Sequence, residues 1–304
     1  MAEKLIVSSS PHRRTRTLTK NIMLQVLIAL LPSVIAATIL FGLRALIVVA
    51  LSAAGAMLSE YVFNLVLKKK QTVSDLSAIV TGVILALNLP SGIPYYIVLI
   101  GDIFAIIIVK CLFGGLGRNF ANPAMTARIA LLISFPGAMS EFTIPFADTI
   151  ASATPLASEK SYSYIDLLLG KIPGSMGEVC AVAILIGFIY LLIRRVISPI
   201  IPLSFVGSAM ILTLLLGADP VYSVLSGGLL FGAVFMATDY VTSPIKPLGK
   251  LIFGIGCGVI TVVIRIFGSY PEGVSYAILL MNIIVPLIDR IPSKAPFGVK
   301  GGKK

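Results

Sequence analysis

Few side chains in this sequence are equipped for chemistry, and they fall in three places. The first is a hydroxyl-rich stretch, Phe146-Ala147-Asp148-Thr149-Ile150-Ala151-Ser152-Ala153-Thr154-Pro155-Leu156. The Thr154 hydroxyl can accept a transferred phosphoryl group. No base stands beside it in the sequence, so activation must come from outside; taken alone, it reads as a turn threonine before proline. The second place is Asn119, Asn122 and Asp239, which follow apolar runs. Their side chains can read the polar edge of a ring, and they can equally cap helices or bind backbone. The third comprises Glu60, Asp102, Lys110, Arg128 and Arg265, charges inside apolar runs. At a membrane centre each costs about 2.5–3.5 kcal/mol on insertion scales. Four lie within reach of a run end and are expected to extend to the surface. Asp102, in Ile100-Gly101-Asp102-Ile103-Phe104, is the exception. It is a candidate for ion handling or for a buried pair with Lys110 or Arg128.

Other chemistries are excluded. Gly114-Gly115-Leu116-Gly117 lacks a following Lys-Ser/Thr and a preceding strand, so it is not a phosphate loop. Cys111, Cys180 and Cys257 have no CxxC spacing, which argues against an iron-sulfur site and a disulfide set. His12 is the single histidine, which leaves no bis-histidine haem and no histidine-rich metal site.

The elements that must position these residues are membrane spans. The chain has 304 residues, 57% of them hydrophobic and 12% charged, with a mean hydropathy of +1.02. A soluble domain carries about twice that charge, and several runs reach the roughly 20 apolar residues that cross a bilayer. The fold class expected is all-α, a polytopic integral membrane protein of about ten helices. A barrel would show short alternating strands instead. Spans are expected near 21–40, 45–67, 76–89, 95–113, 124–135, 178–193, 199–216, 221–238, 251–267 and 274–288. The segment before the fifth, rich in Gly and Asn, is expected to dip into the membrane. The organisation is then a basic segment 1–20, a first transmembrane half 21–135, a long loop 136–177, a second half 178–290 and a basic tail 291–304. The long basic lead argues against a cleavable signal peptide.

The net charge of +11 is explained by topology, with no call for a nucleic-acid partner. With the N-terminus in the cytoplasm, all of the 24 Lys and Arg residues except Arg44, Lys160, Lys171 and Arg265 fall on or near the inner side, as the positive-inside rule requires. Both termini are then cytoplasmic, and the loop carrying Thr154 is external. Five spans per half imply that related halves would be inverted. The small-residue runs 81–90 and 232–239, each ending in Asn or Asp with Pro soon after, hint at such a repeat.

The Asp148-x-x-Ala151-Ser152-Ala153-Thr154 pattern is similar to the flavin-attachment motif of the integral membrane subunits of Rnf and sodium-pumping NADH:quinone reductases. Ser9-Ser10-Pro11-His12, Gly117-Arg118-Asn119-Phe120-Ala121-Asn122-Pro123-Ala124 and Ala237-Thr238-Asp239-Tyr240-Val241-Thr242-Ser243-Pro244 resemble blocks of the Rnf D subunit, in the same order and over the whole length. This resemblance implies a membrane electron-carrier subunit of a translocase, an ion-translocating (Na+ or H+) ferredoxin:NAD+ oxidoreductase in a bacterial or archaeal cytoplasmic membrane. It implies FMN esterified to Thr154 by a separate flavin transferase. It also implies a non-covalent riboflavin near the cytoplasmic side, where Asn119, Asn122 and Asp239 are the candidate ligands. The partners implied are the Rnf A, B, C, E and G subunits and membrane lipid. The chain lacks iron-sulfur ligands and a dinucleotide fingerprint, in keeping with ferredoxin and NAD chemistry on other subunits. The competing reading is a small-solute channel or transporter, which ten spans, an inverted repeat and breaks near Pro90 and Pro244 would also suit.

Overall fold

The computed structural model describes residues 19–146, 150–151, 155–156, 162–268 and 273–291. These form an all-α polytopic membrane bundle. Its helices are α1 (Thr19–Phe41), α2 (Leu43–Val66), α3 (Ser77–Leu87), α4 (Tyr95–Ile103), α5 (Pro123–Ser134), α6 (Pro136–Ser140), α7 (Tyr164–Leu169), α8 (Ala181–Ile193), α9 (Ile200–Leu215), α10 (Pro220–Leu225), α11 (Leu229–Phe231), α12 (Pro247–Phe267) and α13 (Gly273–Ile288). The long loop contributes β1 (Phe142–Thr143) and β2 (Ile150–Ala151), an antiparallel pair of two residues each. A helix satisfies its own backbone, which is why apolar runs in lipid become helices.

Among the described residues, α1, α2 and α12 are long and apolar enough to cross a bilayer singly; α3, α5, α8, α9 and α13 are apolar but shorter. On α1 the exposed side chains Leu24, Ile28, Leu31, Ile35 and Ile39 recur at helical spacing, an apolar stripe for lipid. Its other face, with Ala29, Ser33 and Ala37, is buried. Small residues let backbones approach closely. A methyl added at Gly82 of α3 would stand 2.6 Å from the Ser52 carbonyl oxygen of α2, and one at Gly187 of α8 would collide with that of Ala29 on α1.

Of the expected spans, the third is matched by the single helix α3, whereas the eighth is not a continuous helix. The third is α3 alone, entered through a 3-10 turn, Val73–Asp75, and the left-handed residue Leu76 (φ 65°). The eighth is α10, a break at Gly227 (φ 68°), then α11 and a π-helix, Gly232–Met236. In both, a short lead, a left-handed break and a half-length helix follow one another. The neighbours repeat too: α2 packs on α3 and α4, α9 on the Gly232–Met236 segment and α12, and the halves meet through α1 with α8 and α5 with α13. The fourth span also departs from a plain helix, since α4 runs on into a π-helix, Phe104–Cys111.

Candidate functional site

The dip expected before α5 supplies one wall of the site. Residues 112–122 form an irregular turn with Gly114, Gly115 and Gly117 at positive φ. Asn122 ends it as the N-cap of α5: its Oδ1 accepts from the Ala124 and Met125 amides at 3.1 and 3.3 Å. Its Nδ2 donates to the Met236 carbonyl, 3.2 Å away at the end of the second π-helix. Asn282 of α13, with its amide oriented to satisfy both neighbours, donates to the Thr242 carbonyl and accepts from the Asn122 backbone amide. These bonds tie the 112–122 turn, the 237–246 turn and α13 together.

Between them lies a cavity of about 80 Å³ that brings together all three sequence candidates near this face: Asn119, Asn122 and Asp239. Ser77, Thr81 and Ile84 of α3, Lys110, Thr238 and Tyr240 complete its polar and central lining, and Met23 and Val26 of α1 close one side. A second cavity of about 200 Å³ is lined by Asn119, Phe120, Thr242 and Asn282, so Asn119 faces both. Its Oδ1 is buried and has no hydrogen-bond partner among the described residues, whereas the amide of Asn122 is committed to the cap. Asp239 accepts from the Thr242 hydroxyl at 3.0 Å. Burial pushes its carboxyl above the ordinary aspartate value, against the lowering effect of the Thr242 bond and of the Val241 and Tyr240 amides. Tyr240 donates to the Val196 carbonyl.

The charges in the apolar runs correct the sequence expectation. Glu60, Lys110 and Arg128 do not reach for the surface; each is at most 3% exposed. Lys110 donates to Glu60 at 3.0 Å and to Ser77 at 2.6 Å. Ser77 in turn donates to Asp75, and Thr72 to Glu60. This network pins the start of α3 against α2 and the first π-helix, so it fixes a wall of the 80 Å³ cavity. Arg128 donates to Glu178 at 2.6 Å and to Asn88 at 2.8 Å. Arg265 holds the α10–α11 break through the carbonyls of Ser223 and Ser226. Asp102 pairs with neither Lys110 nor Arg128; its partner is Ser52, at 2.6 Å. Sequence reasoning missed Lys110 and Ser77 as cavity residues. The signal was a lysine and a glutamate at the same depth on different spans, which spacing along one helix does not reveal.

Thr154 lies outside the described residues, as do Asp148 and His12. The chain beside Thr154 is described. Pro155 is buried, and its carbonyl accepts from the Tyr222 hydroxyl of α10 at 3.4 Å. Phe146 donates its amide to the Leu40 carbonyl, at the end of α1. Met23 and Val26, near the start of α1, line the cavity. At 1.5 Å per residue the 14 residues from Val26 to Leu40 separate these two places by roughly 21 Å along the helix.

The match to a family model extends over residues 6–298, nearly the whole chain, and the family is described as NQR2, RnfD, RnfE. The chain belongs to that family. Among its relatives, the D subunit of the Na+-translocating ferredoxin:NAD+ oxidoreductase complex of Acetobacterium woodii is 48% identical over 99% of this chain and 97% of its own. The D subunit of the proton-translocating ferredoxin:NAD+ oxidoreductase complex of Clostridium ljungdahlii is 39% identical over 97% and 96%. That of the ion-translocating oxidoreductase complex of Stutzerimonas stutzeri is 37% identical over 93% of each.

Proposed function

We propose that this chain is the D subunit of an ion-translocating ferredoxin:NAD+ oxidoreductase and serves there as a membrane electron carrier. The observation that carries the reading is the 48% identity, over essentially both full lengths, to a relative of that name. The partners are the A, B, C, E and G subunits, surrounding lipid and a flavin transferase. Both termini face the cytoplasm and the 136–177 loop faces outward, a reading supported by the distribution of Lys and Arg.

FMN is assigned to Thr154 through a phosphoester, supported by the Asp148 to Thr154 pattern. Riboflavin is assigned to the cavity at Asn119. The residues fit its polar edge: the orphaned Asn119 Oδ1 is an acceptor for a ring N–H, and Asp239 adds a second polar group. Neither cavity alone reaches the roughly 300–1,000 Å³ of an ordinary small-molecule site, so seating a tricyclic ring requires the side chains between them to shift. Bound flavin supplies the redox chemistry; the protein supplies position and electrostatics. Here Asn119 orients, Asn122 holds the α5 start against Met236, and the Lys110–Glu60–Ser77 network keeps α3 in place.

The test is a denaturing gel of the purified complex viewed under ultraviolet light. A fluorescent band at this chain's mass, lost in Thr154→Ala while the protein still inserts, supports covalent flavin. A dark band from a fully assembled wild-type complex overturns it and favours a solute transporter, to which similar halves and broken helices are also suited.

A further inference from the structure

Asp102 occupies a place in the bundle that the flavin sites do not explain. It is 1% exposed, on α4, two residues before the first π-helix. Ser52 of α2, itself fully buried, places its Oγ 2.6 Å from Asp102 Oδ1 and 2.8 Å from the Gly82 carbonyl oxygen of α3. A serine hydroxyl has one proton, and a carboxylate and a carbonyl are both acceptors. It can donate to only one of them. If the carboxyl were ionised, one of these two short contacts would set oxygen against oxygen with no proton between. A proton on Asp102 Oδ1 resolves the conflict: Asp102 donates to Ser52, and Ser52 donates to Gly82. The surroundings agree. Among the described residues Asp102 Oδ2 is buried without a hydrogen-bond partner, and it faces Gly55 of α2, where an added methyl would lie 2.7 Å from it. Among the described residues no cation balances a charge there. On the elements packed around it, Glu60 of α2 and Lys110 of the π-helix are paired with each other, and Arg128 of α5 is paired with Glu178. A carboxylate buried without a cation or a full set of donors is strongly disfavoured against its neutral form.

We infer that Asp102 is a proton-binding site inside the membrane bundle, held at neutral pH as a carboxylic acid that donates through Ser52 to the Gly82 carbonyl. The chain of two hydrogen bonds joins α4, α2 and α3, and its middle member is the residue over which Gly82 packs. This inference does not depend on the flavin assignments.

Infrared spectroscopy of the purified complex, with the aspartates of this subunit carbon-13 labelled, tests it at neutral pH, where an ordinary aspartate is ionised. The expected result is a protonated-carboxyl stretch that moves with the label and is lost in Asp102→Asn. Asp239 also has a raised carboxyl, so Asp239→Asn is the control and should leave that band in place. If Asp102→Asn does not assemble, Ser52→Ala assigns the band, because losing the acceptor hydroxyl shifts a protonated Asp102 to higher frequency. Loss of a carboxylate stretch in Asp102→Asn overturns the inference. So does a protonated-carboxyl band unmoved by both Asp102→Asn and Ser52→Ala, or the absence of any such band from wild-type protein.

Discussion

Consider the pair Arg128 and Glu178, both buried and 2.6 Å apart. Arg128 also donates to Asn88 at the end of α3, so three segments meet at one guanidinium. Arg128→Met leaves a buried carboxylate without its cation, and breaking a buried pair by removing one partner costs about 3–5 kcal/mol. Glu178→Gln keeps the shape and an acceptor oxygen, so its cost falls at about 1.5–3 kcal/mol, the range for hydrogen bonds to charged groups. The double variant removes both charges and should cost clearly less than the sum, with a coupling of about 1–3 kcal/mol. The structure provides its own reporters, since Cys111 and Cys257 are free and buried. Thermal unfolding followed by a thiol-reactive fluorophore will register their exposure. At a fixed temperature in the transition, about 3 kcal/mol corresponds to roughly a hundredfold change in the unfolding equilibrium. Additive costs, with the double variant as damaged as both singles together, would refute the claim that these two side chains act as a unit.

Other outcomes follow from the same geometry. Gly228→Ala drives a methyl into Glu178 Oε1, so it should lower the unfolding temperature in the same assay, and it should do so equally in the Glu178→Gln background, where the side chain has the same shape. Asn119→Leu should reduce non-covalent flavin in the extracted complex while leaving thermal stability nearly unchanged; Asn122→Ala should cost about 1 kcal/mol of stability as a lost helix cap, whatever happens to flavin. Outside the spans, Tyr164 donates to Asp219, which caps α10 through the Val221 and Tyr222 amides. The Tyr164 bond holds the Asp219 carboxyl below its ordinary value. A depressed carboxylate stabilises the fold above its unfolded pKa of about 3.9, and that contribution is lost as pH falls through the lower folded value. Hydrogen exchange at the α10 amides should therefore rise on acidification below about pH 4, and Asp219→Asn should remove that pH dependence.

Much of the fold was legible because apolar length is a strong signal. The spans expected near 21–40 and 45–67 match α1 and α2 closely. The third, expected near 76–89, matches α3 as well, but the eighth was harder to delimit, because hydropathy does not register where a helix breaks: Gly227 changes the backbone without changing the apolar count. The likeness of the two halves showed in the sequence only as two short small-residue runs, since what repeats is the order of packing partners. In the site, Asn119, Asn122 and Asp239 were singled out as residue types and do converge on one cavity. That Asn122 is occupied as a cap and Asn119 is left with a bare oxygen depends on contacts 114 residues apart in the chain, beyond any local pattern. The buried pairs were misjudged for the same reason. Each charge was visible, but its partner lay 50 residues away.

That separation bears on how the chain enters the membrane. Glu60 sits on α2 and Lys110 near the end of the first π-helix, so a chain made from its N-terminus delivers the carboxylate well before the ammonium that neutralises it. Glu60 lies in the last third of α2, where a lone charge can still reach water, whereas one at a helix centre would carry an insertion penalty of about 2.5–3.5 kcal/mol. The pairing thus asks the first hairpin to sit shallow, with Glu60 in water, until the fourth span arrives and the two can be buried together.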